Sequence, residues 1–312
     1  MTYDAADGYV VLFGGLSPNG TLLAETWTFH AGVWKNLNLT SNESPPARAF
    51  ASITYDAADG VVLLFGGLNQ PVASNAAKLN DTWEFHGGNW VKISTNHAPS
   101  RRFAASMAFD AADGYVLLLG GNSTIGPSAD TWTFLGGVWT KLALSSAPSP
   151  RYGAAMTYFP GDNGSVVLMD GMGARGVYTS HPLNWTWGFI GGKWTHSGTA
   201  SFLAKPIDRF GAVMASSSNK TILVGGAEFP LHYSDIGAGL GPGQLYAPFY
   251  LHSYLASHGF APGSAQWQSQ LNSAHPVRFP PASLPSQFPG FAWDASDGYF
   301  VLFLDGQTWT TM

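Results

Sequence analysis

A short polar stretch followed by an unbroken apolar run sets the rhythm of this chain. YDAADGYVVLFGG at residues 3–15 returns as YDAADGVVLLFGG at 55–67 and as FDAADGYVLLLGG at 109–121. In each copy the aspartate that opens DAADG can accept hydrogen bonds from its own backbone, and the glycine that closes it supplies a positive φ. The segment therefore predicts a tight reversal between two antiparallel strands. The paired glycines that end the apolar run suit a place where backbones converge without room for a side chain. A further copy starts near Tyr158 and softens the pair to Asp170-Gly171.

After each pair and a loop of variable length comes ETWTF at 25, DTWEF at 81, DTWTF at 130 and WTWGF at 185, a third strand. AGVWKNL, GGNWVKI, GGVWTKL and GGKWTHS follow, with Gly and Trp at fixed offsets that predict a hairpin into a fourth strand. Each unit is a four-stranded meander, repeated every ~50 residues. Composition agrees: 45% hydrophobic and 14% aromatic content can bury a large core, and 38 Gly with 20 Pro would interrupt long helices, which makes the chain all-β.

The Gly pair, the downstream aromatic and the Gly-x-Trp, at this period, resemble kelch repeats over nearly the whole chain. The resemblance implies a kelch-type β-propeller, whose four-stranded antiparallel blades stack around an axis because no single sheet can bury both faces. One domain over 1–312 is expected, in six units of about 1–47, 48–101, 102–150, 151–208, 209–285 and an incomplete 286–312. Unit five carries an inserted lobe at 228–264 before AQWQSQL supplies its fourth strand; unit six stops after TWTT without a Gly-x-Trp strand. MTYD at the start aligns inside a strand with MAFD and MTYF, so the chain is expected to be a fragment of a longer protein or to close its ring unusually. Trp27, Trp83, Trp132 and Trp187 on third strands, with Trp34, Trp90, Trp139 and Trp194 on fourth strands, are expected to fill the gaps between blades.

An arginine precedes the first strand of successive units: Arg48 in ARAFAS, Arg102 in RRFAAS, Arg151 in PRYGAA and Arg209 in DRFGAV. Kelch domains that recognise acidic ligands carry arginine here, at the mouth of the central channel. By that resemblance the four form an arc suited to carboxylates; the competing reading is that each bonds carbonyls of the adjacent blade. Loops between second and third strands vary most and share that face in kelch propellers, which makes them the seat of function. The largest insertion holds His232, Tyr246, Tyr250, His252, Tyr254 and His258, and its aromatic, nearly uncharged make-up matches the core of a docking interface. These histidines lack H-E-x-x-H spacing, and the acid pairs of DAADG lack the alternating oxygens of an EF-hand, so no metal and no cofactor are expected.

A formal net charge of -5 with 11% charged residues offers no basic field for nucleic acid or an anionic membrane. No apolar run of about 18 residues is present to insert into a bilayer. The absence of cysteine removes disulfides and thiolate nucleophiles, and with them the cysteine–tyrosine cofactor of the copper radical oxidases that share the kelch-type propeller. The sialidase-type S-x-D-x-G-x-x-W box and the G-x-S-x-G elbow are also missing. Asn-x-Ser/Thr occurs at Asn19, Asn38, Asn42, Asn80, Asn122, Asn163, Asn184 and Asn219, each expected in a loop or at a loop edge, which marks N-glycosylation candidates and an extracellular or cell-surface protein. The resulting expectation is a non-enzymatic scaffold for contacts with other surface proteins or glycans, in an envelope layer or filament. The alternative is a carbohydrate-binding or carbohydrate-active protein using the unit-five lobe, with Glu228 and Asp235 as its acids. Few carboxylates would also suit an acidic exterior.

Overall fold

The computed structural model describes residues 1–17, 20–70, 75–160, 164–173, 186–196, 209–216, 221–224, 227–228, 277–278, 290–294, 299–304 and 307–311, and every regular element among them is a strand. Unit one pairs Thr2–Asp4, Tyr9–Leu16, Leu22–His30 and Val33–Asn36 in that order. Unit two does the same with Ser52–Asp56, Val61–Leu68, Lys78–His86 and Asn89–Ile93. Unit three uses Ser106–Asp110, Tyr115–Leu119, Thr131–Leu135 and Val138–Lys141. Unit four uses Ala155–Phe159, Ser165–Met169, Trp187–Ile190 and Lys193–His196. All neighbours are antiparallel, as the meander pattern requires.

Unit five is described in its first hairpin, Val213–Ser216 with Thr221–Val224. Unit six contributes Gly290–Asp294, Tyr299–Leu304 and Gln307–Thr311, and its outer place is taken by Val277–Arg278, which pairs with Thr308 and Gln307. The place beside Gln307 and Thr308 is thus filled by residues that the repeat pattern assigns to unit five. AQWQSQL and the inserted lobe lie outside the described residues.

The apolar second strands explain the stacking. Leu63 and Phe65 pack with Met107, Val116 and Leu118 of unit three, whereas the alternate residues Val62 and Leu64 pack with Val11 of unit one. Side chains two apart share a face, so a strand buried on both faces must be apolar at every position. Each such side chain contributes about 1.5–3 kcal/mol of burial. The same division places Leu117 and Leu119 against unit four.

A tryptophan clasp repeats at four of the junctions among the described residues. The indole N–H of Trp90 donates to Thr26 Oγ1 at 3.0 Å, Trp139 to Thr82 at 2.9 Å, and Trp194 to Thr131 at 3.0 Å, each from a fourth strand to the third strand of the preceding unit. Trp34 of unit one makes the same bond, 2.8 Å long, to Thr308 of unit six. Val10 and Phe29 also pack with Ala292 and Val301. The first strands of units one to six touch in a closed cycle, with unit six returning to unit one. The third-strand tryptophans Trp83 and Trp132 pack half-buried against the clusters between units, and their indole N–H groups donate within their own unit to Asp81 and Asp130, both at two residues' distance.

DAADG closes as expected. Asp4 Oδ1 accepts from the N–H groups of Ala6 and Asp7, and Gly8 takes φ 73°. The turn also stitches neighbours, because Asp7 accepts from Gly87 N–H of unit two at 3.0 Å and Asp59 from Gly136 N–H of unit three at 3.2 Å.

Candidate functional site

The opposite face carries the loops between second and third strands and the linkers that enter each first strand. The glycine pairs meet these linkers. Gly15 N–H donates to the Arg48 carbonyl at 2.8 Å and Gly121 N–H to that of Arg151 at 2.9 Å. A Cβ on Gly14 would stand 2.6 Å from the Arg48 oxygen, closer than nonbonded atoms approach, which is why the position holds glycine.

Each linker then sends its arginine forward into its own unit. Arg48 is 1% exposed; its Nε–H donates to Pro46 O, and its Nη groups donate to Gly66 O and to both oxygens of Asp81 at 2.7 and 2.8 Å. Arg102, also 1% exposed, donates to Ser100 O and Oγ, to Gly120 O and to both oxygens of Asp130, so all five of its N–H groups are engaged. Burial alone would raise the Asp130 pKa, but the bonds and charge of Arg102, with donation from Ser128 and Trp132, hold it down to about 2. Arg151 is equally buried and donates to Ser149 O, Ser149 Oγ and Asp170 O. The arc of outward guanidinium groups expected at the channel mouth is therefore not the arrangement of these three: they are buried and turned inward, held by the carbonyls of Gly66, Gly120 and Asp170 and, for Arg48 and Arg102, by the third-strand acids Asp81 and Asp130. Each arginine joins the preceding unit through its backbone to its own unit through its side chain. Of Arg209 only the backbone is described, pairing with Glu228.

What the face does present lies one or two residues further on. Phe50, Ala104, Gly153 and Gly211 all take positive φ (56°, 51°, 64° and 71°), and the N–H of each of the last three donates to the carbonyl of the one before at 2.8 Å. This belt runs along the start of the first strands, where the ring axis opens. Beside it, Phe50, Phe103 and Tyr152 form an aromatic arc with ring centroids 6.0 and 5.9 Å apart. Lys78 Nζ stands 5.6 Å from the Phe103 ring and donates to Asn75 Oδ1, Asn122 Oδ1 and Ser123 O. Burial lowers the Lys78 pKa, and its partners are neutral oxygens, so it works as a tie between the loops of units two and three.

This belt, the arc and Lys78 stand outside the repeat signature that the sequence displays. The signal for the arc was present: an aromatic residue follows Arg102, Arg151 and Arg209 directly. That for Lys78 was weaker, a lysine where the corresponding residues of units one and three are Leu22 and Pro127.

A sequence-family model, the KLHDC2/KLHL20/DRC7 Kelch-repeats domain, matches residues 1–235. The chain belongs to the kelch-repeat family. Kelch domains mediate protein–protein interactions, and the kelch signature residues described above are the ones that staple blade to blade. An F-box/kelch-repeat protein of Arabidopsis thaliana is 29% identical over 125 residues, covering 36% of this chain and 25% of that protein. The aligned part is thus about a quarter of the relative's length.

Other expected positions of this kelch domain are placed as follows. Asn38 and Asn42 are exposed in the linker after unit one. Asn80 is exposed but stands on the third strand of unit two, and Asn122 is half-buried on the two-residue strand Asn122–Ser123, with its carbonyl oxygen taken by Lys78. Asn19, Asn163, Asn184 and Asn219, and the lobe residues His232, Tyr246, Tyr250, His252, Tyr254 and His258, lie outside the described residues. No group of three metal-binding side chains occurs among the described residues, and no described helix is long and apolar enough to cross a membrane.

Proposed function

We propose that this kelch domain is a six-bladed, non-enzymatic scaffold that holds partner proteins on the face bearing its variable loops. The observation that carries the reading is the division of labour. Glycine pair, arginine, third-strand acid and tryptophan are all spent on joining blades, so a partner must be read by residues that differ between units, and those sit on the loops of one face. An extracellular or cell-surface setting is part of the proposal, supported by the exposed Asn38, Asn42 and Asn80 sequons.

Two experiments test it. Material from its native source, treated with peptide N-glycosidase, should lose mass at one or more of these asparagines; an unchanged mass would remove the surface assignment. Purified protein should leave chromogenic glycosides untouched. Turnover that disappears with Glu228→Gln or Asp235→Asn would replace the scaffold with a carbohydrate-active enzyme.

A further inference from the structure

The face away from the variable loops carries the DAADG turns and the glycine hairpins that join third to fourth strands. The two kinds of turn meet where Asp59 of unit two accepts from Gly136 N–H of unit three. At the tip of that unit-three hairpin Leu135 and Val138 are paired across the strands and are 52% and 60% exposed. Single exposed aliphatic residues are ordinary. A cross-strand pair is a different case, because its two side chains stand together on one face of the sheet. The equivalent pairs are His30 with Val33, His86 with Asn89 and Ile190 with Lys193, each with at least one polar or basic member.

Strand alternation decides which charges surround this tip. Asp59 adjoins it from unit two. Asp113 adjoins it from the turn of unit three itself: one step beyond the Val116–Phe134 pair the ladder sets Leu135 beside Tyr115, whose O–H donates to Asp113. Both acids are exposed. Glu84 stands on the face of unit two that is turned to unit three, the face of Thr82, which accepts from Trp139. Burial and then the charges of Asp59 and Asp56 raise its pKa, so these acids lie close together. The exposed lysines of the flanking fourth strands point elsewhere. Lys92 shares the face of Trp83, with its Nζ 5.9 Å from that ring, and Lys193 shares the face of Ile190, the reverse of the one from which Phe189 packs on unit three. The remaining titratable side chain at the unit-two tip is His86.

An aliphatic pair among acids, with no lysine or arginine turned toward it from the flanking fourth strands, repels nucleic acid, anionic lipid and the same face of a second copy. It fits a segment that brings aliphatic side chains together with positive charge, and the hairpin pinned by Asp59 loses little freedom on contact. We propose that the unit-three hairpin tip, with Asp59 and Asp113, is a second docking surface, for a basic segment of a partner protein that carries aliphatic residues. It goes beyond the scaffold reading above, which concerns the opposite face and stands or falls separately.

The test selects a displayed library of random dodecapeptides on the full chain and measures the enriched peptides by fluorescence anisotropy. Enriched sequences should pair Leu, Ile or Val with Lys or Arg. Their affinity should fall about tenfold or more when Leu135→Thr and Val138→Thr are combined. Threonine suits an exposed strand position, so the fold is spared, and an unchanged melting temperature checks this. Asp113→Asn keeps an oxygen for Tyr115 O–H but removes the charge; it should weaken binding severalfold, by a margin that shrinks at high salt. Ile125→Thr, on the loop face, should leave these peptides bound as before. Peptides that bind the double threonine variant as well as the native chain, enriched sequences without bases, or a library without such binders would each overturn the proposal. So would sedimentation showing that the native chain self-associates and the double variant does not, since the surface would then belong to a second copy.

Discussion

Units three and four carry the same arginine in the same burial, yet they complete it differently. Arg102 grips the linker carbonyl and hydroxyl of Ser100, the Gly120 carbonyl, and then the two oxygens of Asp130. Arg151 repeats the first part with Ser149 and the Asp170 carbonyl. The second part is missing: WTWGF has Trp185 where DTWTF has Asp130, and no salt bridge forms to Arg151 among the described residues. Burial lowers the Arg151 pKa to about 10, against the charge of Asp170, which raises it. The difference teaches that the carbonyl half of the latch is the part common to both units, since among the described residues unit four forms its sheet with that half. The carboxylate half strengthens a unit and also creates a dependence.

The largest effect should come from breaking that dependence. Arg102→Met strands the Asp130 carboxylate without its fork and should cost about 3–5 kcal/mol, the usual penalty for leaving one charge of a buried pair behind. Arg151→Met removes no carboxylate's fork among the described residues and should cost clearly less. Urea midpoints for the two variants measure this directly, and equal losses would mean that the two latches do not differ. Next in size is Trp139→Phe, which keeps most of the ring but removes the donor to Thr82 across the junction of units two and three. A loss of about 1–2 kcal/mol is expected. Trp34→Phe, which removes the bond to Thr308, should match it if the ring is closed by the same clasp; a negligible loss there would show a slack closing junction.

How much of this was legible depends on how local the cause is. DAADG, the glycine pair and the Trp spacing each dictate a turn, a close approach or a hairpin within a few residues, and the structure has them in place. Side-chain direction was not legible for Arg48 or Arg102, because it hangs on Asp81 and Asp130, 33 and 28 residues away, and the repeat alone does not say whether an acid on the third strand faces its own unit's arginine or solvent. Val277–Arg278 was missed for the opposite reason: two residues of an edge strand have no pattern of their own, and only the unfilled place beside Gln307 and Thr308 gives them one. Leu135 breaks the repeat, standing where units one and two have His30 and His86, so a search for periods passes over it.

The contrast extends to acid. Asp130, with its pKa at about 2 in the folded chain against about 3.9 unfolded, contributes stability that is fully present above the unfolded value and lost as pH falls through the folded one. Arg102→Met should therefore flatten the fall of stability between about pH 4 and 2. Arg151→Met should leave it unchanged. Thermal melts across that range read both, and a parallel fall in all three proteins would detach Asp130 from acid unfolding.

The smallest effect concerns the turns on the other face. Asp4, Asp56 and Asp110 are at most 1% exposed, and burial, helped by the neighbouring Asp7, Asp59 and Asp113, raises their pKa values against the opposing turn N–H bonds. Asp56 Oδ2 has no hydrogen-bond partner among the described residues. A raised folded pKa has the reverse sign from Asp130: the native state holds the extra proton, so this part of the stability grows as pH falls from neutrality toward the unfolded value. Asp56→Asn keeps an oxygen for Ala58 N–H while removing the buried charge. It should raise stability at pH 7 by up to about 1 kcal/mol and make the slope between pH 7 and 4 shallower. A slope unchanged by the substitution would mean that Asp56 titrates as an ordinary surface acid, and that mild acid favours this fold, if it does, through groups other than the repeated turns.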